Sequence, residues 1–225
     1  MARRPATDRP DIAPRAPELP SELSELALAT LEHDETISES SVIGAALEGI
    51  DARGVSLRGV ALTRVDLSGS SLAGLYVAQA TLDACSLANV RARGAALAQI
   101  SIDASRLTGV LLSEAKLTDV TVRDSRVDLA SFGFARLTRV TFEDCLLAQA
   151  DFLDAQLDGV RFHDCDLTRA DFRGARLTGC ELRRCKLEAV EGVTNLRGAS
   201  FEWPAIVELA GTWASALGIG VIDVE

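Results

Sequence analysis

The sequence predicts a solenoid in which the chain turns by about 90° with every unit of five residues. The first observation behind this prediction is an apolar residue at every fifth position from Val42 to Leu187, thirty sites in all. Every one of these sites except Ala52 and Ala92 holds Leu, Val, Ile or Phe. The second observation is a series of small residues, mostly Ala, Val, Ser, Cys or Ile, two positions before each site.

Each unit therefore has two positions suited to burial and three that are mostly polar or Gly, as between Ala170 and Gly174. A period of five fits neither the helical repeat of 3.6 residues nor the strand repeat of two. A quarter turn per unit fits it, because each unit then directs the same two positions towards a common axis. Since 48% of the residues are apolar and only 4% are aromatic, we expect a core of thin, regular aliphatic layers.

Several units follow the pattern A-(D/N)-L-x-x, as in Ala150-Asp151-Phe152, Ala170-Asp171-Phe172 and Cys165-Asp166-Leu167. This pattern resembles that of the pentapeptide-repeat family, and the resemblance covers about two thirds of the chain. The resemblance implies an all-β solenoid, a right-handed quadrilateral β-helix of about 7–8 coils with twenty residues in each coil. It also implies that the aspartate before each large inward residue helps to shape the backbone turn, as at Asp66, Asp151, Asp166 and Asp171.

Side chains twenty residues apart should form columns in such a coil, and the sequence contains columns of matched size. Five phenylalanines make two ladders that would meet across the interior, and three cysteines make a third column. We expect these eight residues to form the structural core: Phe132, Phe152 and Phe172; Phe142 and Phe162; Cys145, Cys165 and Cys185. Cys85 continues the cysteine column, and Ser105 and Ser125 fill the places between. We interpret the thiols as small apolar packing groups, since no histidine or close Cys pair supports zinc.

The two ends of the chain depart from the repeat. Residues 1–20 hold five prolines and four arginines, which predicts a disordered tail. Residues 21–39 are predicted to form an N-terminal capping segment, with a short helix from Ser21 to Leu31. The β-helix itself is predicted over residues 40–201.

Residues 202–225 are predicted to contain a helix and a short tail. Pro204 suits the first turn of a helix, and Gly218 is typical of a helix end. The apolar residues between them recur at helical spacing, and they are candidates for a cap or a dimer contact: Ile206, Leu209, Trp213 and Leu217. In the family, C-terminal elements commonly cover the solenoid end or form a dimer contact, so a homodimer through this helix is one expectation.

The sequence suggests no catalytic residues, no metal ligands and no cofactor site. His33 lies outside the repeat and His163 lies on an outward position, and no Ser or Cys nucleophile accompanies either of them. The segment Gly218-Ile219-Gly220 is too short for a phosphate-binding loop. No signal sequence or membrane span is evident, so we expect a cytoplasmic protein.

Two functions remain, and the distribution of charge distinguishes them. The resemblance implies, through the Qnr group and its mycobacterial relatives, a mimic of duplex DNA that binds DNA gyrase and relieves fluoroquinolone inhibition. The net charge of −10 suits such a mimic, but residues 41–190 contain nineteen acidic and eighteen basic residues. The favoured interpretation is therefore a non-enzymatic scaffold with an unidentified protein partner and no direct binding of nucleic acid, and the gyrase ligand is the alternative.

Outward apolar residues indicate where a partner would bind. Leu111, Phe134 and Leu153 project from the face of the Phe132 column, one in each coil. Three such side chains would form a contact patch. The N-terminal segment is the other candidate to cover them.

Overall fold

A computed structural model describes residues 13–220 and residue 222. The described chain is a parallel β-solenoid of about nine turns followed by one α-helix. Thirteen strands form one sheet, and with a 3-10 helix and α1 they follow one another along the chain in this order: β1 Ser24–Glu25, β2 Thr36–Ser38, β3 Ser40–Ile43, β4 Ser56–Thr63, β5 Tyr76–Asp83, β6 Ala96–Asp103, β7 Lys116–Arg123, β8 Arg136–Glu143, β9 Gln156–Asp158, β10 Arg161–His163, β11 Arg176–Thr178, β12 Cys180–Arg183, the 3-10 helix Val193–Leu196, β13 Ala199–Phe201 and α1 Trp203–Ala216. None of the helices in these residues is long and apolar enough to span a membrane.

The coils stack with an offset of twenty residues. Ser56 of β4 pairs with Tyr76 of β5, and Tyr76 pairs in turn with Ala96 of β6. All of these pairings are parallel, and single bridges with the same offset join the other sides of the coil, as between Asp151 and Asp171. The predicted coil of four units is therefore confirmed.

The number of coils was predicted too low, at 7–8 rather than about nine. Strands β1 and β2 lie before residue 40, yet β1 pairs with β3 and β2 pairs with β4. Ser24 is opposite Ser40, an offset of sixteen, so the first coil is short. The repeat pattern does not reveal this coil because backbone hydrogen bonds need no particular side chain.

The core lies on the axis of the coils. All thirty large inward sites are buried except Leu87, which is partly buried. Ala92 lines an apolar cavity of about 60 Å³ between Leu75 and Phe142, consistent with the loose filling expected of an alanine stacked between Leu72 and Leu112. Ala52 is completely buried but does not line this cavity.

The two phenylalanine ladders meet as predicted. Within one ladder the Phe152 ring stacks on Phe132 and Phe172, with centroids 5.1 Å and 4.9 Å apart. The rings of Phe142 and Phe162 stack at 5.3 Å in the second ladder. Edge-to-face contacts join the ladders, including one of 5.7 Å between Phe152 and Phe162. These geometries are the ones that aromatic pairs prefer, so the C-terminal half has a filled interior.

The corners of the coil are fixed by a left-handed backbone conformation two residues after each large inward site. Among the residues that the structure describes, twenty-one other than glycine have a positive φ, including Gln79, Asp119 and Phe134. Glycine is the residue that adopts this conformation most easily, and it occupies many of the other corners, as at Gly59. Because the corner residue points away from the axis, these positions define the outer edges of the solenoid.

The N-terminal residues differ from the prediction. No helix forms between Ser21 and Leu31, where the structure has only the two residues of β1. Residues 13–20 have no regular secondary structure, but they lie against the solenoid and donate hydrogen bonds to it, so they are not a free tail. The remainder of the predicted tail, residues 1–12, lies outside the described residues.

The C-terminal helix α1 forms at the predicted place. It begins one residue before Pro204, and Gly218 follows it with a φ of 73°. Strand β13 extends the ladder of β12 with an offset of nineteen, since Cys180 is opposite Ala199. The regular register therefore ends immediately before α1.

Truncating the centre of the ladders should destabilise the fold. We expect Phe152→Ala to lower the free energy of unfolding by about 3–5 kcal/mol, because the ring is fully buried between two others. Urea denaturation followed by circular dichroism measures the change. The control Phe134→Ala removes a ring that is 59% exposed, and it should change stability by less than about 0.5 kcal/mol. Equal losses in the two variants would contradict the stacking interpretation.

Candidate interaction surfaces

The outward aspartates of the repeat act on the backbone. One carboxylate oxygen of each accepts a hydrogen bond from the backbone N–H two residues later, at 2.8–2.9 Å: Asp66 from Ser68, Asp151 from Leu153, Asp166 from Thr168 and Asp171 from Arg173. This local bond stabilises a turn. The role that the family resemblance implied for these residues is confirmed, and it explains them without paired carboxylate chemistry.

The cysteine column consists of free thiols that pack inside. Cys145 and Cys165 are buried, and each thiol donates to backbone carbonyl groups, as from Cys145 Sγ to Glu143 O at 3.2 Å. The neighbouring thiols and burial raise the pKa of Cys165. Cys180 lies in a different inward column, where burial raises its pKa to about 11. Cys185 is only half-buried, because the regular coils end beside it.

The histidines contact single polar groups. His33 Nδ1 accepts a hydrogen bond from the Arg53 backbone N–H at 2.9 Å. His163 Nε2 lies 3.6 Å from a Glu181 carboxylate oxygen, and its sequence neighbour Asp164 instead binds Arg184. Within residues 13–220, no three His, Cys, Asp or Glu side chains are grouped as a metal site would require.

The predicted apolar patch is only partly assembled. Leu111 and Phe134 are exposed, at 40% and 59%, whereas Leu153 is half-buried. The Phe134 backbone N–H donates to Leu153 O, so these two residues are neighbours on adjacent coils. Leu111 instead shares a column with Ser131, three residues before Phe134, towards the other edge of the face.

Two further exposed leucines were missed in the sequence. Leu129 is 52% exposed at a corner position, and Leu146 is 45% exposed beside the inward Leu147. The signal was available, because both occupy outward positions of the five-residue unit. Exposed apolar groups are therefore spread over several faces rather than collected on one, since Ile43 is also exposed, beside the column of Val42.

Charged side chains of opposite sign alternate along the columns. Arg123 binds Glu143 at 2.9 Å, and Arg184 binds Asp164 at 2.6 Å, each pair linking residues one coil apart. Lys186 similarly lies 3.7 Å from Asp166. Such exposed pairs each contribute only about 0–1 kcal/mol to stability. Their larger effect is to neutralise the surface locally, so that acidic residues in the described coils are interleaved with basic ones.

Residues 13–20 lie along one edge of the solenoid, and we call them the strap. The Arg15 backbone N–H donates to Asp119 Oδ1 at 3.2 Å, and the Glu18 backbone N–H donates to Gln79 Oε1 at 2.5 Å. Gln79 and Asp119 occupy the same corner column two coils apart. Phe134 lies at a different corner, so these contacts of the strap leave it uncovered.

Asp119 is the most constrained charged group at this edge. Only 4% of it is exposed, and both of its oxygens accept hydrogen bonds from Arg139, at 2.6 Å and 2.7 Å. Hydrogen bonding to the Arg139 guanidinium, aided by the Arg15 backbone N–H, holds the pKa of Asp119 below its usual value. Among the residues that the structure describes, Asp119 is the one buried side chain with a formal charge.

The lowered pKa makes Asp119 a contributor to stability at neutral pH that is lost in acid. The carboxylate stabilises the fold above the unfolded pKa of about 3.9, and the contribution disappears as pH falls through the lower folded pKa. We expect Asp119→Asn to cost about 1–2 kcal/mol at pH 7 and progressively less below about pH 4. Urea denaturation across this pH range measures the difference between the variant and the unaltered chain.

The matched control for this measurement is Asp124→Asn. Asp124 has the same left-handed backbone, with φ of 47°, but it is exposed at the next corner. Its replacement should change stability by less than about 0.5 kcal/mol. A difference for Asp119→Asn that is independent of pH would show that the charge is not the source of the effect.

The C-terminal helix separates the candidate cap residues into two groups. Leu209 is buried, and Ile206 and Trp213 are half-buried against the last coil, whereas Leu217 is 68% exposed. Trp213 Nε1 donates to Val193 O at 3.1 Å, and its ring meets Phe201 edge to face at 5.8 Å. One side of α1 therefore covers the end of the solenoid. An open cleft of about 370 Å³ remains between α1 and the last coil.

Comparison with known families finds two matches. The family described as a pentapeptide repeat region matches residues 127–191, and pentapeptide repeats in eight copies match residues 38–74. No curated protein matches the chain.

Solved structures with repeats of the same kind also resemble the chain. Full-length QnrB1, a plasmid-mediated fluoroquinolone resistance protein, is 18% identical with a TM-score of 0.46, over 87% of this chain and 100% of that one. HetL from Nostoc sp. strain PCC 7120, involved in heterocyst differentiation regulation, is 22% identical with a TM-score of 0.32, over 74% and 89%. Rfr23 from Cyanothece 51142 is 18% identical with a TM-score of 0.29, over 72% and 91%.

Proposed function

Because the chain is a pentapeptide-repeat protein, we propose that it acts without catalysis as a rigid scaffold for protein–protein interaction. The observation that supports this proposal is that large apolar side chains are exposed on a backbone held in place by hydrogen bonds between coils. Phe134 is 59% exposed, yet its backbone is bonded to the next coil and the buried Phe132 lies two residues before it. A rigid exposed aromatic group binds a partner without a large loss of conformational entropy.

Solenoids suit this function because stability accumulates from one coil to the next. Each coil contacts mainly its neighbours, so outward residues can vary without disturbing the interior. In this chain the outward positions hold exposed Leu111, Leu129, Phe134 and Leu146. We place the principal contact at Phe134 and Leu153, because these two apolar residues are adjacent. We further propose that the partner is a cytoplasmic protein.

The charge pattern does not favour the alternative of a DNA mimic that binds DNA gyrase. Duplex DNA carries a negative charge about every 1.7 Å of its axis. Residues 41–190 have a net charge of −1, and many of their acidic groups lie beside arginine, as at Asp119 and Asp164. The same balance supports a partner that is a protein and not nucleic acid, since neither an acidic nor a basic surface dominates.

Replacing Phe134 with Asp tests the scaffold proposal. A protein captured from cell lysate by the unaltered chain should be lost with Phe134→Asp, because a charge would have to be desolvated in the contact. Mass spectrometry of the retained proteins, with a gyrase subunit specifically sought, gives the readout. The control Leu129→Asp changes a residue of similar exposure at another corner and should retain the partner. Identical retained proteins with all three chains would reject the contact at Phe134.

We also propose that α1 forms a homodimer contact with its outer side. Trp203 and Val207 are exposed at 76% and 60%. They belong to a seam of apolar residues whose spacings alternate between four and three: Trp203, Val207, Ala210, Ala214 and Leu217. This spacing is typical of helices that pack against each other. The small alanines permit close approach. Glu208 is the one charged residue of α1, and it is not part of the seam.

A charge in the seam should disrupt the dimer. We expect the unaltered chain to have the mass of a dimer at micromolar concentration, and Val207→Glu to have the mass of a monomer, because the charge would be buried without a partner. Sedimentation equilibrium measures both masses. Ser215→Glu places the same charge on an exposed position outside the seam, and it should leave the dimer intact. A monomeric mass for the unaltered chain would contradict the proposal.

A further inference from the structure

The strap contacts the solenoid at intervals that match the coil. The backbone N–H groups of Arg15 and Glu18 donate hydrogen bonds to the solenoid, and these two donors are three residues apart. Their acceptors, on Asp119 and Gln79, are forty residues apart, which is two coils. Further along the same edge, Pro20 packs at Gly59, where an added Cβ would lie 3.4 Å from the proline Cδ. The strap therefore follows the solenoid axis, crossing three coils in six residues.

This spacing is that of a polyproline II helix. Three residues of polyproline II rise about 9.3 Å, and they return the chain to the same side. Two coils of a β-solenoid rise about 9.6 Å, because neighbouring strands are about 4.8 Å apart. The two repeats are commensurate, so every third backbone N–H of an extended chain can meet an acceptor on every second coil.

The prolines of the strap have the same period. Pro14, Pro17 and Pro20 are each three residues apart, and all three are half-buried. The side chains of Arg15 and Glu18 are exposed, although their N–H groups face the solenoid. These contacts are therefore made by the proline rings and by backbone N–H groups, while the half-buried Leu19 adds an apolar side chain between two of the prolines.

The acceptors on the solenoid are held in position before the strap binds. The Gln79 side-chain amide donates to Gln99 Oε1 at 2.8 Å, which directs its own carbonyl oxygen outward to the strap. The Asp119 carboxylate is held by both of its bonds to Arg139. Glycine at position 59 leaves space for a proline ring. A binding edge with fixed acceptors and a space at its end is thus built into one corner column.

We propose that this edge is a binding site for a proline-rich segment of a partner protein, in polyproline II conformation with proline at every third residue. The strap occupies the edge in the free chain, and the partner's segment replaces it. This inference rests on the proposed scaffold function and names the class of partner. Replacement is feasible because a partner segment with the same spacing can make the same contacts as the strap, including the hydrogen bonds from the backbone N–H groups of Arg15 and Glu18 and the packing of the proline rings.

Proline substitution in the strap tests the site with little other disturbance. The double variant Arg15→Pro, Glu18→Pro removes both N–H donors and keeps the polyproline II preference of the chain. We expect it to release the strap and to bind a fluorescein-labelled peptide of residues 13–20, measured by fluorescence anisotropy. The unaltered chain, whose edge is occupied, should bind the same peptide at least tenfold more weakly. The control Ala16→Pro alters an exposed strap residue and should behave like the unaltered chain.

Two matched changes establish where and how the peptide binds. Adding Gln79→Ala or Asp119→Ala to the released variant should weaken peptide binding about tenfold, since each removes an acceptor. A peptide that carries proline in place of Arg15 and Glu18 should also fail to bind, because it lacks both donors. Circular dichroism at increasing temperature checks that each variant is folded, and Gln79→Ala serves alone if the loss of Asp119 unfolds the chain.

Three results would overturn the proposal: no peptide binding by the released variant, equal binding by the peptide without donors, or unchanged affinity after removal of the acceptors. The titration reports on this edge alone, whereas the capture experiment with Phe134→Asp reports on another corner of the solenoid. A failed titration therefore leaves the scaffold function standing, and a failed capture leaves the peptide site standing.

Discussion

The offset of twenty residues between neighbouring coils is the constraint on which the rest of the structure depends. It places each buried side chain on a like side chain in the coils above and below, as for Phe152 between Phe132 and Phe172. It also satisfies the backbone, because the N–H and C=O groups of each coil pair with those of its neighbours. A slip of one residue within the regular coils would break the stacking of side chains, since small, large and outward positions would no longer lie on their own kind.

The same offset explains why the two ends need their own solutions. The register changes to sixteen between β1 and β3 and to nineteen between β12 and β13, so the regular offset of twenty stops at both places. At the C-terminal end, α1 covers the last coil with Leu209 and Trp213. An uncovered end would present backbone groups to other chains, a hazard for any β-structure. The outer side of the same helix remains apolar, which is why capping and self-association are linked in the proposed dimer.

Outside the core, the register orders polar groups as strictly as it orders apolar ones. Opposite charges one coil apart form pairs such as Arg139 with Asp119, and amides form pairs such as Gln79 with Gln99. The outer surface is consequently a lattice with one fixed spacing along the axis. A ligand whose own repeat matches that spacing can bind at several points together, and the strap has such a repeat. The register that stacks the core side chains therefore also sets the spacing of the surface groups that a ligand contacts.

Much of this could be predicted from the sequence, because the information is local and repeated. The two inward positions of each five-residue unit, the meeting of the Phe ladders and the turn role of Asp151 all follow from a pattern that recurs throughout the chain. A contact made once has no such redundancy. The composition of residues 1–20 predicts a disordered tail, because composition does not show that the backbone N–H groups of Arg15 and Glu18 find acceptors on Asp119 and Gln79. The helix predicted between residues 21 and 31 was wrong as well.

The sequence by itself determined the coil, its period and the side chains that fill its interior, because every unit repeats the same pattern of buried and outward positions. A unit that departs from the pattern still takes the backbone conformation of the regular units on either side. Tertiary structure alone decided the additional coil, the path of the strap, the half-burial of Leu153 and the division of α1 into a covering side and a free side. The physical reason is that these features depend on distances between residues far apart in the chain. Those distances exist only after the coils have stacked.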